Sequence, residues 1–153
     1  MTNLNKLVLA SANPGKIKEL QEWLDKLGIT IVPQVDLGIP DIEETGLTFV
    51  ENAILKARNA SALSNLPAIA DDAGLCVDAF GGLPGVQTAF YCTQFGYPKS
   101  DDNNRKALLE QMVGVTQRRA ALVSTLVAVR GPQDPEPLIA TGRAVGEITT
   151  EPL

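Results

Sequence analysis

The chain of 153 residues carries 13 basic and 18 acidic side chains, a formal charge of −5, and 44% hydrophobic residues. Those figures describe one soluble domain, residues 1–153, large enough to build a core without disulfides or structural metal. A pI near 4.7 and the lack of any Lys or Arg run exclude the electrostatic footprint of a duplex-binding protein, so no nucleic-acid partner is expected.

Histidine is absent, which excludes imidazole bases, His-ligated zinc and Ser-His or Cys-His nucleophilic pairs. Carboxylates and lysines must carry any chemistry. Cys76 and Cys92 form no CxxC spacing and fit packing in a reduced compartment. Met1 to Lys6 lacks the pattern of a signal peptide, and no apolar run approaches the ~18 residues needed to span a bilayer. A cytoplasmic protein with no membrane partner is expected.

In chain order, Leu7 to Ala10 reads as a short buried strand leading through Ser11, Ala12 and Asn13 into a helix. Asn13 suits the N-cap and Pro14 the first helical position, Ile17, Leu20, Leu24 and Leu27 follow helical spacing, and Gly28 suits the stop. Ile29 to Val32 reads as a second strand, and Val35 to Gly46, with Gly38, Pro40, Asp41, Glu43 and Glu44, as a loop. A second helix starts at Thr48, where Thr48-Phe49-Val50-Glu51 is a capping box. Val50, Ile54, Ala57 and Ala60 or Ser61 form its buried stripe, and Asn52 and Lys56, four apart, share another face.

Pro67 to Ala70 reads as a short strand delivering Asp71 and Asp72 at its end, with Leu75 to Ala79 extended again before the turn-rich Gly81 to Gly85. Asp101 to Val113 is predicted helical, with two aspartates favouring the dipole. Ala121 to Val129 and Leu138 to Thr149 read as an antiparallel pair joined through Gly131 to Pro135. Helices mixed with strands, one pair antiparallel, predict an α/β fold with a mixed sheet.

Three groups of residues invite chemistry. Ser11, Asn13, the helix N-terminus and Lys16 read either as an anion site or as a capped helix with a surface lysine, since the Walker pattern fails at Ala10 and Ile17. Asp71 and Asp72 read as Mg²⁺ ligands or as a solvated turn, and extended backbone allows only one of them to face a given pocket. Glu43, Glu44 and Lys56 read equally as loop and helix-surface charges.

Taken in order, Ser-Ala-Asn-x-x-Lys, then Glu-Glu-Thr-Gly-x-Thr-Phe-x-Glu-Asn-Ala-x-x-Lys-Ala over Glu43 to Ala57, then Ala-Asp-Asp-x-Gly-Leu over Ala70 to Leu75, resemble the Ham1/inosine triphosphate pyrophosphatase family. Gly81 to Val86 and the Ala121 to Ile148 hairpin extend the likeness over essentially the whole chain. The resemblance implies a twisted mixed sheet flanked by helices, two lobes with a cleft, and a homodimer. It implies Mg²⁺-dependent hydrolysis of (d)ITP and XTP to monophosphate and pyrophosphate.

By the same resemblance Ser11, Asn13, Lys16 and Lys56 hold the triphosphate, with Ala73, where the family commonly has Ser, contributing its backbone N–H. Glu44 and Asp72 hold the metal, and Asp72 is the catalytic base. At Thr88-Ala89-Phe90-Tyr91 the family's Ser-Ala-Arg-Tyr has lost its guanidinium. The family's later Gly-Phe-Gly-Tyr-Asp-Pro and Ser-His-Arg motifs have no counterpart, so a C-terminally truncated domain is expected, with the phosphate half, without the base-reading half, and with weak base discrimination. The alternative is a nucleotide-binding or oligomeric module that keeps the fold without turnover.

Overall fold

The strand order β2-β1-β3-β4-β5 defines an open five-stranded sheet in the computed structural model of the chain, which describes residues 5–11 and 13–153. Residues 1–4, and Ala12 in the loop expected after the first strand, lie outside the described residues. The strands are β1 (Lys6–Leu9), β2 (Thr30–Pro33), β3 (Ala68–Val77), β4 (Arg119–Val129) and β5 (Leu138–Glu147), and the helices are α1 (Pro14–Asp25), α2 (Phe49–Ser64) and α3 (Asp101–Gln111). Two compact units divide the chain, residues 1–72 with 125–140 and residues 73–124 with 141–153.

In the first unit, β1 runs parallel to both its neighbours, with Leu7 opposite Ile31 in β2 and Val8 and Leu9 opposite Ala68 and Ile69 in β3. The chain moves one way from β1 to β2 and the opposite way from β2 to β3. Right-handed crossovers then put α1 and α2 on opposite faces of the sheet and open a crevice at the carboxyl ends of β1 and β3. The topology alone marks that crevice as the place for a ligand.

Both helices start as their sequences dictate. Asn13 caps α1, its side-chain oxygen accepting from the N–H groups of Gly15 (2.9 Å) and Lys16 (3.4 Å). Thr48 caps α2, accepting from the Glu51 N–H at 3.3 Å and donating its hydroxyl to the Glu51 carboxylate at 2.7 Å. Ala53, Ala57 and Ala60 are fully buried on α2 and share a core cluster with Val8, Ala68, Ala70, Val127 and Val129. Three alanines with no bulk beyond Cβ let the helix lie close on the sheet. Within the same unit Arg58 of α2 donates to the carbonyls of Pro132 (2.9 Å) and Asp134 (3.2 Å), tying the β4–β5 connection to the helix.

Four expectations need correction. Leu27 falls beyond the end of α1 and is 71% exposed, because the helix stops at Asp25 and Gly28, at φ 71°, turns the chain away. The expected Pro67–Ala70 strand does not end at the aspartates; β3 continues to Val77 and absorbs the separate extension expected at Leu75. Only the neighbouring β1 ends there, so Asp71 and Asp72 still overhang the crevice. The stretch Gly85–Phe95, given no element above, winds as a 3-10 run after a cis Leu83–Pro84 bond. The extension expected over Leu75 to Ala79 stops at Val77, and its last two residues wind into a 3-10 turn over Asp78–Phe80.

The second unit gathers Val77, Met112 and Ala120 in one cluster, and Tyr91, Cys92 and Ala107 in another. Arg118 closes its C-terminal side, donating to the carbonyls of Met112, Val115, Ile148 and Thr149 at 2.7 to 3.1 Å. Ile148 in turn donates its N–H to the Arg118 carbonyl at 2.8 Å. The end of β5 thus meets the start of β4, and the two run antiparallel as expected. Cys76 and Cys92 are free thiols, the latter buried.

One turn charge bears on stability. Asp134 accepts from Arg130 through Nε (3.0 Å) and Nη2 (2.7 Å), and from the N–H groups of Arg130 (2.9 Å) and Glu136 (3.0 Å). The guanidinium and the two N–H groups hold its carboxyl well below the usual carboxylate range. A depressed folded-state value contributes stability above the ordinary carboxylate range and loses it as pH falls. Asp134→Asn is therefore expected to lower Tm at neutral pH, with the gap from wild type narrowing below about pH 4. Thermal melts across pH check this, and a gap that stays constant on acidification contradicts it.

Candidate functional site

The crevice receives its charges from four pieces of the first unit, each with its own reason to be there. Lys16 arrives on the first turn of α1 because Asn13 and Pro14 start the helix immediately after β1. Its ammonium bonds the carboxylate of Asp71 in β3. Lys56 arrives from the third turn of α2, where its Nζ lies 2.8 Å from Glu44 Oε1 and 3.9 Å from Asp72 Oδ1. Glu44 comes from the irregular stretch before α2, and Glu44 rather than Glu43 meets the lysine.

Alternation along β3 explains the pairing. Successive side chains in a strand point to opposite faces, so Asp71 turns to the side of α1 and Lys16, and Asp72 to the side of α2 and Lys56. Both aspartates are buried, at 5% and 8% exposure. Buried carboxylates need partners to remain ionised without large cost. Here each is compensated by a lysine from a different helix, and the two lysines are tied to consecutive residues of one strand.

The remaining candidates divide. Asn13 spends its side-chain oxygen on the α1 cap, and the Ser11 hydroxyl accepts the Asn13 N–H at 3.2 Å. Both therefore shape the turn that presents Lys16. Ala73 follows Asp72 in β3 but belongs to the second unit, where it is exposed and lines a cavity of about 430 Å³ with Leu75, Thr88, Tyr91 and Leu108. Asp71, which the motif reading left without a role, is the residue that holds Lys16. Its adjacency to Asp72 was the available signal.

The donor set suits a hard divalent cation. Glu44 and Asp72 offer only carboxylate oxygens, and among the described residues no group of three or more His, Cys, Asp or Glu could cage a metal. A carboxylate pair of this kind fits Mg²⁺, which keeps several waters and binds through one or two carboxylates plus substrate phosphates. Anionic and cationic groups alternating at the open ends of parallel strands suit a metal-bridged polyphosphate.

An open α/β protein with lysines and carboxylates facing each other at a switch point belongs to the nucleotide-handling class. The chain is a member of the Ham1 family, which it matches over residues 7–153. It is 68% identical over 148 residues to a dITP/XTP pyrophosphatase of Albidiferax ferrireducens, covering 97% of this chain and 74% of that one. It is 48% identical over 149 residues to the dITP/XTP pyrophosphatase of Ralstonia nicotianae, covering 97% and 74% respectively. Among solved structures it resembles a HAM1 protein from Coxiella burnetii with a TM-score of 0.91 at 41% identity, covering 97% of this chain and 75% of that one. A nucleoside-triphosphatase / dITP/XTP pyrophosphatase from Mycobacterium abscessus gives 0.80 at 36% identity, covering 97% and 76%. The mixed five-stranded sheet with flanking helices is thus the family's fold. Among the described residues no helix is long and apolar enough to cross a membrane.

The asymmetry of the Lys16–Asp71 pair yields a test. Lys16 is 37% exposed at its side chain and Asp71 only 7%. Lys16→Met strands a buried carboxylate and is expected to cost about 1–3 kcal/mol of stability. Asp71→Asn keeps an oxygen to accept from Lys16 and costs less. Urea unfolding of the two variants checks the order, and the reverse order contradicts it.

Proposed function

We propose that this chain is a nucleoside triphosphate pyrophosphatase acting on non-canonical purine nucleotides, hydrolysing dITP, ITP and XTP to the monophosphate and pyrophosphate with Mg²⁺. The observation that carries the reading is the Lys56 ammonium lying between Glu44 and Asp72, in a chain 68% identical to a dITP/XTP pyrophosphatase.

The roles follow from charge and position. Lys16 and Lys56 neutralise phosphate oxygens, which a protein of net charge −5 can do only where cations converge locally. Ser11 and Asn13, in the turn that presents Lys16, hold the same triphosphate in this reading. The Ala73 N–H, just past Asp72, is a further donor in this reading. Glu44 and Asp72 are the pair that would hold Mg²⁺, which supplies charge neutralisation and orientation of the anhydride when bound. Asp72 takes the proton of the water that attacks the α-phosphorus, while the bond from that phosphorus to the bridging α–β oxygen breaks and pyrophosphate leaves with that oxygen. The burial of Asp72 shields that step from bulk solvent, and the Lys56 ammonium lies 3.9 Å from its Oδ1. No imidazole is required.

In this reading the enzyme works in the cytoplasm as a homodimer, with the nucleotide as its substrate and no nucleic-acid or membrane partner. The whole of 1–153 serves as one ITPase-like domain in this reading.

Incubation of the purified chain with dITP, XTP, GTP and ATP in the presence of Mg²⁺ is expected to release pyrophosphate and the nucleoside monophosphate. Release of orthophosphate alone contradicts the proposal. Asp72→Asn is expected to lower kcat about 10²–10⁴-fold, the usual contribution of a positioned acid–base group. Unchanged turnover in that variant removes Asp72 from the role of base.

A further inference from the structure

Glu44 poses a structural problem. It stands in an irregular, exposed stretch between Ile39 and Leu47, where neither helix nor strand fixes the backbone. A carboxylate on such a loop loses conformational freedom whenever it is held in one place. Yet it meets Lys56 at 2.8 Å.

We propose that Asn52 is a positioning residue for Glu44, clamping the loop through Gly46 so that the carboxylate and Lys56 are referred to one helix face. The proposal rests on the nucleotide-hydrolysing reading above and deepens it. Gly46, two residues after Glu44, donates its N–H to Asn52 Oδ1 at 2.7 Å and accepts from Asn52 Nδ2 at 3.3 Å. One side-chain amide thus satisfies both backbone polar groups of a single loop residue, as a neighbouring strand would.

Burial and spacing make this clamp stiff. Asn52 is 1% exposed, and a buried amide left without these bonds carries a desolvation cost. It lies one turn before Lys56, and residues four apart on a helix share a face. The loop is therefore fixed to the same surface from which the lysine projects. A side chain at Gly46 would force the loop or α2 to shift. A Cβ there would lie 2.6 Å from Glu51 Cβ and 2.7 Å from Asn52 Oδ1, so the backbone approaches α2 more closely than any side chain permits.

A second amide on the same helix supplies a control. Asn59 Nδ2 donates to the Pro40 carbonyl at 3.2 Å, anchoring the loop farther from Glu44 and at an exposed position.

The test is a double-mutant cycle with an independent structural readout. Asn52→Ala is expected to lower kcat for dITP about 10- to 100-fold, as a displaced group does when its support is lost, and to raise the Mg²⁺ concentration giving half-maximal rate. In a Glu44→Gln background the same substitution is expected to have little further effect, since residues acting as a unit are non-additive. Asn59→Ala is expected to leave turnover near wild type. Without nucleotide or metal, amide hydrogen exchange across 43–47 is expected to accelerate in Asn52→Ala while the rest of α2 stays protected. Gly46→Ala attacks the clamp from the loop side and is expected to reproduce these effects, which keeps the test open if Asn52→Ala does not fold.

Additive losses in the cycle, or unchanged exchange at 43–47, overturn the positioning role. Absence of pyrophosphate release by the wild-type chain overturns the functional reading instead, and leaves the exchange result to decide the clamp.

Discussion

Everything at the crevice depends on one constraint: two buried carboxylates on consecutive residues must each be met by a cation. Asp71 and Asp72 lie in β3 just beyond the last residue pairs it makes with β1, at 5% and 8% exposure. Alternation sends them to opposite faces, and the reversal of chain direction at β1 puts a helix on each face. One lysine from each helix completes the arrangement. Topology, strand pleat and charge compensation thus give the same answer, and a change to any one of them leaves a buried charge stranded.

The same constraint explains how an acidic protein handles an acidic substrate. Pairing with Asp71, Asp72 and Glu44 keeps the two lysines in place. A metal-bridged polyphosphate offers both partners at once, oxygens for the lysines and a divalent ion for the carboxylates. On the proposed reading, the substrate exchanges with the internal ion pairs without leaving a charge uncompensated.

Much of this was legible in the residues. The caps at Asn13 and Thr48 located both helices because they answer a local need, the unpaired N–H groups of a helix start. The antiparallel β4–β5 pair showed in its density of branched residues and its proline-rich connection. The order of the three motifs carried the family resemblance, and with it the fold. What local pattern could not give is long-range. That β3 runs on past the aspartates depends on its neighbours in the sheet, and the 3-10 run at Gly85–Phe95 has no apolar period to betray it. The partner of Asp71 and the grip of Asn52 on Gly46 join residues whose contact exists only once the chain has folded.

The central claim is that Lys16 and Lys56 serve one triphosphate from opposite faces of the sheet. Calorimetric titration of the chain with a non-hydrolysable α,β-imido analogue of dITP, with Mg²⁺ present, tests it most directly. Lys16→Met and Lys56→Met are each predicted to weaken binding about 10- to 100-fold, the worth of one hydrogen bond to a charged group. Wild-type affinity in either variant contradicts a shared site.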